Sequence, residues 1–146
     1  MNEKIISHLN NRSIVLVGMM GSGKTTIGKL LAEELKLPFY DSDNEIEKNL
    51  GKKINDIFKE HGELFFRNEE LNFFKKKINQ KQVIISSGGG SFVNREIQKR
   101  IKRDCISIWL KASKETLINR LKNIKNRPLL NVENFEDTLS LLLNER

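Results

Sequence analysis

Cysteine is nearly absent: the 146-residue chain has one, Cys105. No intrachain disulfide can form, which excludes a small disulfide-stapled scaffold. The lone thiol heads the apolar run CISIWL, where it reads as a small buried hydrophobe at the start of a strand. Long apolar runs are missing too, and none approaches the roughly 20 residues that a membrane-spanning helix needs. The opening MNEKIISHLNNRS lacks the apolar core of a secretory signal. A soluble, cytoplasmic protein is the expectation. Proline occurs only at Pro38 and Pro128, and no linker or repeat divides the chain, so residues 1–146 are expected to form one domain.

Acidic residues are comparatively scarce. Lys and Arg number 26 against 19 Asp and Glu, a net charge of +7 that favours anionic partners. The aromatic-basic stripe typical of nucleic-acid binding is missing, so the excess reads as solvated surface. Neither nucleic acid nor membrane is expected as a partner, and the chain is expected to be monomeric. A basic nucleic-acid-binding module that merely retains a phosphate loop is the reading from a different functional class.

What is present is organised around VLVGMMGSGKTT, Val15–Thr26. Gly18 to Thr25 spells G-x-x-x-x-G-K-T between an apolar run and an amphipathic stretch, the strand-loop-helix context this phosphate-binding motif requires. Backbone N–H groups of such a loop approach a polyphosphate closely, and the following helix adds its positive pole. The spacing sends Lys24 to the β- and γ-phosphates of a nucleotide and gives the Thr25 hydroxyl to Mg²⁺.

The remainder alternates strands and helices, hence a parallel α/β sheet. Ile14–Val17 reads as a strand buried on both faces, and Lys24–Leu35 as a helix with a stripe at Ile27, Leu30, Leu31 and Leu35. Phe39-Tyr40 opens a second strand ending in Asp41-Ser42-Asp43, with Asp43 placed to cap a helix over 45–50. Its two carboxylates lie beyond a strand's carboxyl end, where α/β sheets bind ligands. Helices follow over 54–58 and 61–78, with four of the eight phenylalanines between 65 and 74. Arg67 sits among these rings and needs a carboxylate or a ligand as partner. Lys75-Lys76-Lys77 reads as a solvated helix end. Val83–Ile85 is a third strand, followed by Ser86-Ser87-Gly88-Gly89-Gly90-Ser91, where three glycines serve either a turn or close backbone approach to a ligand. A helix over 94–102 and a strand over 105–110, with Trp109 in the core, come next. A helix capped by Ser113, a polar lid-like connection over 122–134 and a final helix from Phe135 complete the chain.

Taken together, GMMGSGKTT, the D-x-D of FYDSD, FR-x-x-E at Phe66–Glu70, the SGGG run, R-x-x-x-x-x-x-R-P-L-L from Arg120 to Leu130, and Arg146 resemble the shikimate kinase family, in its order and across nearly the whole chain. The phosphate loop is shared with many kinases; its combination with D-x-D, FR-x-x-E and triple glycine is far more specific. The resemblance implies a three-layer α/β/α P-loop kinase with a central parallel sheet, a helical substrate-binding subdomain at about 43–78 and a mobile lid at about 122–134. It implies transfer of the γ-phosphoryl of ATP to the 3-hydroxyl of shikimate, with Mg²⁺ as cofactor. Gly21, Ser22, Gly23, Lys24, Thr25 and Thr26 would bind phosphate, Arg120 would lie against adenine, and Arg127 would close on the phosphates. Asp41 would support the metal through water, and Asp43 would bind shikimate and act as general base. Arg67 and Arg146 would grip the substrate carboxylate, Glu70 would support that pocket, and Gly89 and Gly90 would offer backbone donors. A gluconate or nucleoside-monophosphate kinase shares the loop, but D-x-D with FR-x-x-E argues against both. Members of the family continue past the arginine matched by Arg146 with a further strand and helix, which this chain is expected to lack, leaving one sheet edge unpaired.

Overall fold

The computed structural model of the chain describes residues 2–122 and 135–145. Helix α1 (Asn2–Leu9) leads into β1 (Ser13–Val17), followed by α2 (Lys24–Leu35), β2 (Phe39–Asp41), α3 (Ser42–Leu50) and α4 (Ile54–Ile78). The chain continues through β3 (Ile84–Ser86), a 3₁₀ turn (Ser91–Val93), α5 (Arg95–Asp104), β4 (Cys105–Trp109), α6 (Lys114–Leu121) and α7 (Phe135–Glu145). The four strands are parallel in the order β2-β3-β1-β4, with Val15 opposite both Ile85 and Ser107.

Every residue of β1 is buried because its alternate side chains feed two cores. Val15 and Val17 pack with Ile85, with Phe73, Phe74 and Ile78 of α4, and with Ile97 and Ile101 of α5. Ile14 and Leu16 pack on the opposite face with Ile84, with Leu9 of α1, and with Ala32 and Leu35 of α2. The result is the expected three-layer α/β/α sandwich. Two smaller clusters flank it. Ile46, Ile54, Ile57 and Phe66 join α3 to α4, whereas Met19 and Met20 of the phosphate loop sit on Leu117, Leu121, Leu139 and Leu142 of α6 and α7. Cys105 is buried in the first core, where desolvation pushes its thiol up to about 12, an inert hydrophobe as expected. Among the described residues no helix is long and apolar enough to cross a membrane.

Four local expectations are corrected. The buried face of α2 is Gly28, Ala32 and Leu35, while Ile27 and Leu30 are exposed. Small residues win there because α2 lies close on the sheet: a Cβ on Gly28 would stand 2.5 Å from the Phe39 ring. Trp109 is 65% exposed rather than core, since β4 is the edge strand of the described sheet and burial fades along it from Cys105 onward. Helix α3 starts at Ser42, and its cap is Asp41, whose side chain accepts from the N–H of Asn44 at 3.1 Å; Asp43 is not the cap. Finally, Lys77 is no solvated helix end: its ammonium lies 3.5 Å from the Tyr40 ring centroid and 3.9 Å from Glu45.

Helix α4 bends at Gly62, whose φ of 81° and ψ of 173° only glycine adopts readily. The bend follows Ile54 and Ile57, which pack on α3; beyond it Phe66 still joins that cluster, and Phe73, Phe74 and Ile78 pack on the sheet. A Cβ on Gly62 would meet no atom within 4 Å, so replacement costs backbone strain alone. Gly62→Ala is therefore expected to lower stability by about 1–3 kcal/mol and the melting temperature by about 3–10 °C. An unchanged melting curve would reject the strain assignment.

Candidate active site

Parallel strands aim their carboxyl ends at one edge, and the ends of β1, β2 and β3 meet there. Between them opens a cavity of about 770 Å³, lined by Met20–Ile27, Asp41, Asp43, Asn44, Glu47, Ile54, Ser86–Gly89 and Arg120. One wall is the phosphate loop and the start of α2. That helix has no side-chain cap at Gly23 and no acidic residue in its first turn, so its N-terminal N–H groups face the cavity as an anion site. Ser22 Oγ is buried there without a hydrogen-bond partner, which fits an acceptor such as a phosphate oxygen. Lys24, 7% exposed, donates from Nζ to the carbonyls of Gly18 at 2.7 Å and Met19 at 2.8 Å. Arg120 donates to the Gly21 carbonyl at 2.8 Å, which brings its guanidinium to the loop.

Thr25 donates from Oγ1 to Asp41 Oδ2 at 2.6 Å, with the Ser86 hydroxyl 3.4 Å away. This set of hard oxygen donors suits Mg²⁺, which keeps several waters and takes only one or two protein ligands. No cation cage of three or more His, Cys, Asp or Glu side chains forms among the described residues.

The opposite wall is built on the glycine run. Gly88 N–H donates to the buried Ser42 hydroxyl at 2.8 Å, and the Ser87 hydroxyl donates to the Leu16 carbonyl at 2.9 Å, fixing the run against α3 and β1. A Cβ on Gly88 would lie 2.8 Å from both Asp43 Oδ1 and Glu70 Oε1 and 3.0 Å from Ser91 Oγ. Close approach, not turn formation alone, is what these glycines serve. Gly89 lines the cavity and abuts the Met20 N–H, whereas Gly90 is buried at the head of the 3₁₀ turn.

Glu70 is fully buried and accepts from Arg67 Nη1 at 2.7 Å and from Ser91 Oγ at 2.5 Å. Arg67 also donates from Nη2 to Glu63 at 3.2 Å, and it stacks 5.4 Å from the Phe66 ring centroid. Burial would lower the pKa of Arg67, but the adjoining Glu70 and Glu63 carboxylates outweigh it and raise it. The guanidinium is permanently charged and held in a fixed orientation. Neither Arg67 nor Glu70 is among the lining residues: Glu70 is buried beside Gly88, and the Arg67 side chain keeps 20% of its surface exposed.

The structure thus gathers Gly21, Ser22, Gly23, Lys24, Thr25, Thr26, Asp41, Asp43, Gly89 and Arg120 around one cavity. Arg127, Arg146 and the lid expected over 122–134, apart from Lys122, lie outside the described residues. Sequence reasoning passed over Ser42, Ser87, Ser91, Asn44, Glu47 and Ile54. The serines gave no signal beyond flanking a motif. Glu47 offered none, because its role is a long-range one: its Oε1 accepts from the Ile54 N–H at 3.0 Å and fixes the start of α4.

The crossing at Gly88 gives a direct test. Gly88→Ala is expected to push the Asp43 and Glu70 carboxylates apart and to weaken acceptor binding at least tenfold, with nucleotide affinity kept within about twofold. Titration calorimetry with each ligand checks it, and equal losses for both ligands would contradict the division into two walls.

A family model described as shikimate kinase matches residues 20–146. The shikimate kinase of Bradyrhizobium diazoefficiens is 45% identical over 142 residues, covering 97% of this chain and 69% of that protein. The solved shikimate kinase from Acinetobacter baumannii in complex with shikimate superposes with a TM-score of 0.88 at 40% identity, covering 91% of this chain and 74% of that one. A gluconokinase from Sinorhizobium meliloti matches at a TM-score of 0.54 and 18% identity, a likeness of fold alone. The chain belongs to the shikimate kinase family.

Proposed function

We propose that this chain phosphorylates shikimate, using ATP as donor and Mg²⁺ as cofactor. As a member of its family it is an ATP-dependent phosphotransferase. The single observation that carries the substrate is Arg67, a guanidinium pinned by the buried carboxylate of Glu70, which approaches the same glycine, Gly88, as Asp43. A small polyol bearing a carboxylate calls for such a fixed, forked donor.

In this reading the phosphates of ATP lie along Gly21–Thr26, with Lys24 turning from the loop carbonyls to the β- and γ-phosphates. Thr25 and, through water, Asp41 would hold Mg²⁺, which screens the phosphate charge. Arg120 lies near the adenine, and Arg127 is assigned to closure over the phosphates from the lid at about 122–134. Residues at about 43–78 form the acceptor subdomain, in which Arg67, together with Arg146, takes the shikimate carboxylate and Gly89 and Gly90 present backbone donors. Asp43 orients the 3-hydroxyl and takes its proton as that oxygen attacks the γ-phosphorus. The bond from the γ-phosphorus to the β-γ bridging oxygen breaks, and ADP leaves. Positioning and charge stabilisation supply nearly all of the acceleration in such transfers, which matches a site built of loop, lysine, carboxylate and arginines. The reading takes the chain as a cytoplasmic monomer, the location resting on its single cysteine, which suits a reducing compartment.

ADP-release assays with shikimate, gluconate and AMP test the substrate. Shikimate alone is expected to support turnover, and turnover with AMP but not shikimate would reject the reading. Asp43→Asn is expected to lower kcat by about 10²–10⁴ while ATP still binds. A near-normal kcat would remove Asp43 from proton transfer. Arg67→Lys keeps the charge but loses the fork, and it is expected to raise the shikimate KM at least tenfold; an unchanged KM would count against the clamp.

A further inference from the structure

The Glu70 carboxylate has a partner that the proposed reaction does not use. Ser91, fully buried at the start of the 3₁₀ turn, donates from Oγ to Glu70 Oε1, while Arg67 occupies Oε2. We propose that Ser91 is a positioning residue for the acceptor: its hydroxyl sets the rotation of the Glu70 carboxylate, which sets the guanidinium of Arg67. This rests on the reading of Arg67 as the clamp for the substrate carboxylate.

Three observations carry it. First, a carboxylate's terminal torsion is broad, so a single ion pair leaves its plane loosely defined, and a second bond on the other oxygen fixes that plane. The plane in turn directs the N–H fork of Arg67. Among the described residues, two of the five guanidinium N–H groups are taken, by Glu70 and Glu63. Glu63 is half exposed and a weak anchor, so the fork's direction depends on Glu70. Second, the Ser91 hydroxyl has no part in capping its own turn. Packing alone would be served by alanine, and a buried hydroxyl is retained at a cost unless its bond matters. Third, the Ser91 N–H donates to the Gly88 carbonyl at 3.1 Å, and Gly88 is the residue on which Asp43 Oδ1, Glu70 Oε1 and Ser91 Oγ converge. Ser91 is a hydroxyl donor beside the glycine that both carboxylates approach, so it joins the clamp to the glycine run beside the general base.

Ser91→Ala tests this. The shikimate KM is expected to rise about five- to twentyfold, with kcat at saturating shikimate and the ATP KM within about twofold of wild type. Glu70→Ala raises the shikimate KM as well, and Ser91→Ala added to it is expected to change nothing further, because Ser91 acts only through Glu70. An unchanged shikimate KM in Ser91→Ala overturns the assignment. Parallel losses in both substrates' KM, or an undiminished effect in the Glu70→Ala background, overturn it equally, since a merely structural role predicts them. Calorimetric titration with shikimate reads the same step without turnover. A wild type that binds shikimate but does not phosphorylate it overturns the proposed function, and the affinity ratio between wild type and Ser91→Ala then decides the role of Ser91. A wild type that does neither overturns both.

Discussion

The carboxylate of Asp41 holds the donor side of the site together, and much of the surrounding geometry depends on it. One oxygen accepts from the Asn44 N–H and so starts α3; the other accepts the Thr25 hydroxyl at the start of α2. Because Asp41 ends β2, and β2 pairs only with β3 in the described sheet, a single side chain ties a sheet-edge strand to the phosphate loop after β1, two strands away. An N-cap bond contributes about 1 kcal/mol, and a bond to a charged acceptor contributes somewhat more. The positional consequence is larger. With Asp41 fixed as the cap, Ser42 enters the helix and meets Gly88 N–H, and Asp43 falls on the first turn, directed at the cavity.

The acceptor side is fixed by exclusion of volume. Asp43, Glu70 and Ser91 approach one glycine so closely that no Cβ fits between them. Elements distant in sequence, α3, α4 and the turn after β3, are thereby brought into register around a single backbone atom. Interiors this dense transmit small displacements instead of absorbing them. The bend at Gly62 belongs to the same design. It lets α4 pack its first turns on α3 and its last turns on the sheet while presenting Arg67 between the two.

Legibility in the sequence followed the range of the interactions involved. β1, the phosphate loop, the extent of α2 and the capping of α6 by Ser113 depend on neighbouring residues, and all were readable. The three layers were readable too, because alternating strand and helix permits few other packings. Errors arose where a distant partner decided the outcome. Ile27 and Leu30 looked like a core stripe, but the Phe39 ring selects the Gly28 face instead. Trp109 looked like core by type, yet strand order, which no local pattern encodes, puts it on the edge strand. Either aspartate of D-x-D makes an acceptable cap, and only the Thr25 hydroxyl in reach distinguishes Asp41. In the candidate site the motif residues were legible as chemistry, whereas the serines that orient them were not. A serine beside a glycine run carries no sign of which buried carboxylate it will meet.

The arrangement of Lys24 shows how a buried ammonium is accommodated in the loop. A lysine buried this deeply is costly unless its ammonium is hydrogen-bonded, and two loop carbonyls supply the acceptors. Those bonds also close the loop on itself. In the proposed reading a phosphate oxygen, which carries formal charge, would make the stronger, charge-assisted bond with this ammonium. Arg67 follows the opposite logic. Its anchor is a full buried carboxylate that no ligand needs to displace, which keeps the direction of its N–H groups fixed. In the proposed reading, Lys24 on the donor side changes partners, and Arg67 on the acceptor side keeps its own. In a transfer that depends on aligning a fixed hydroxyl with a phosphate that must settle into place, stiffness belongs on the acceptor side.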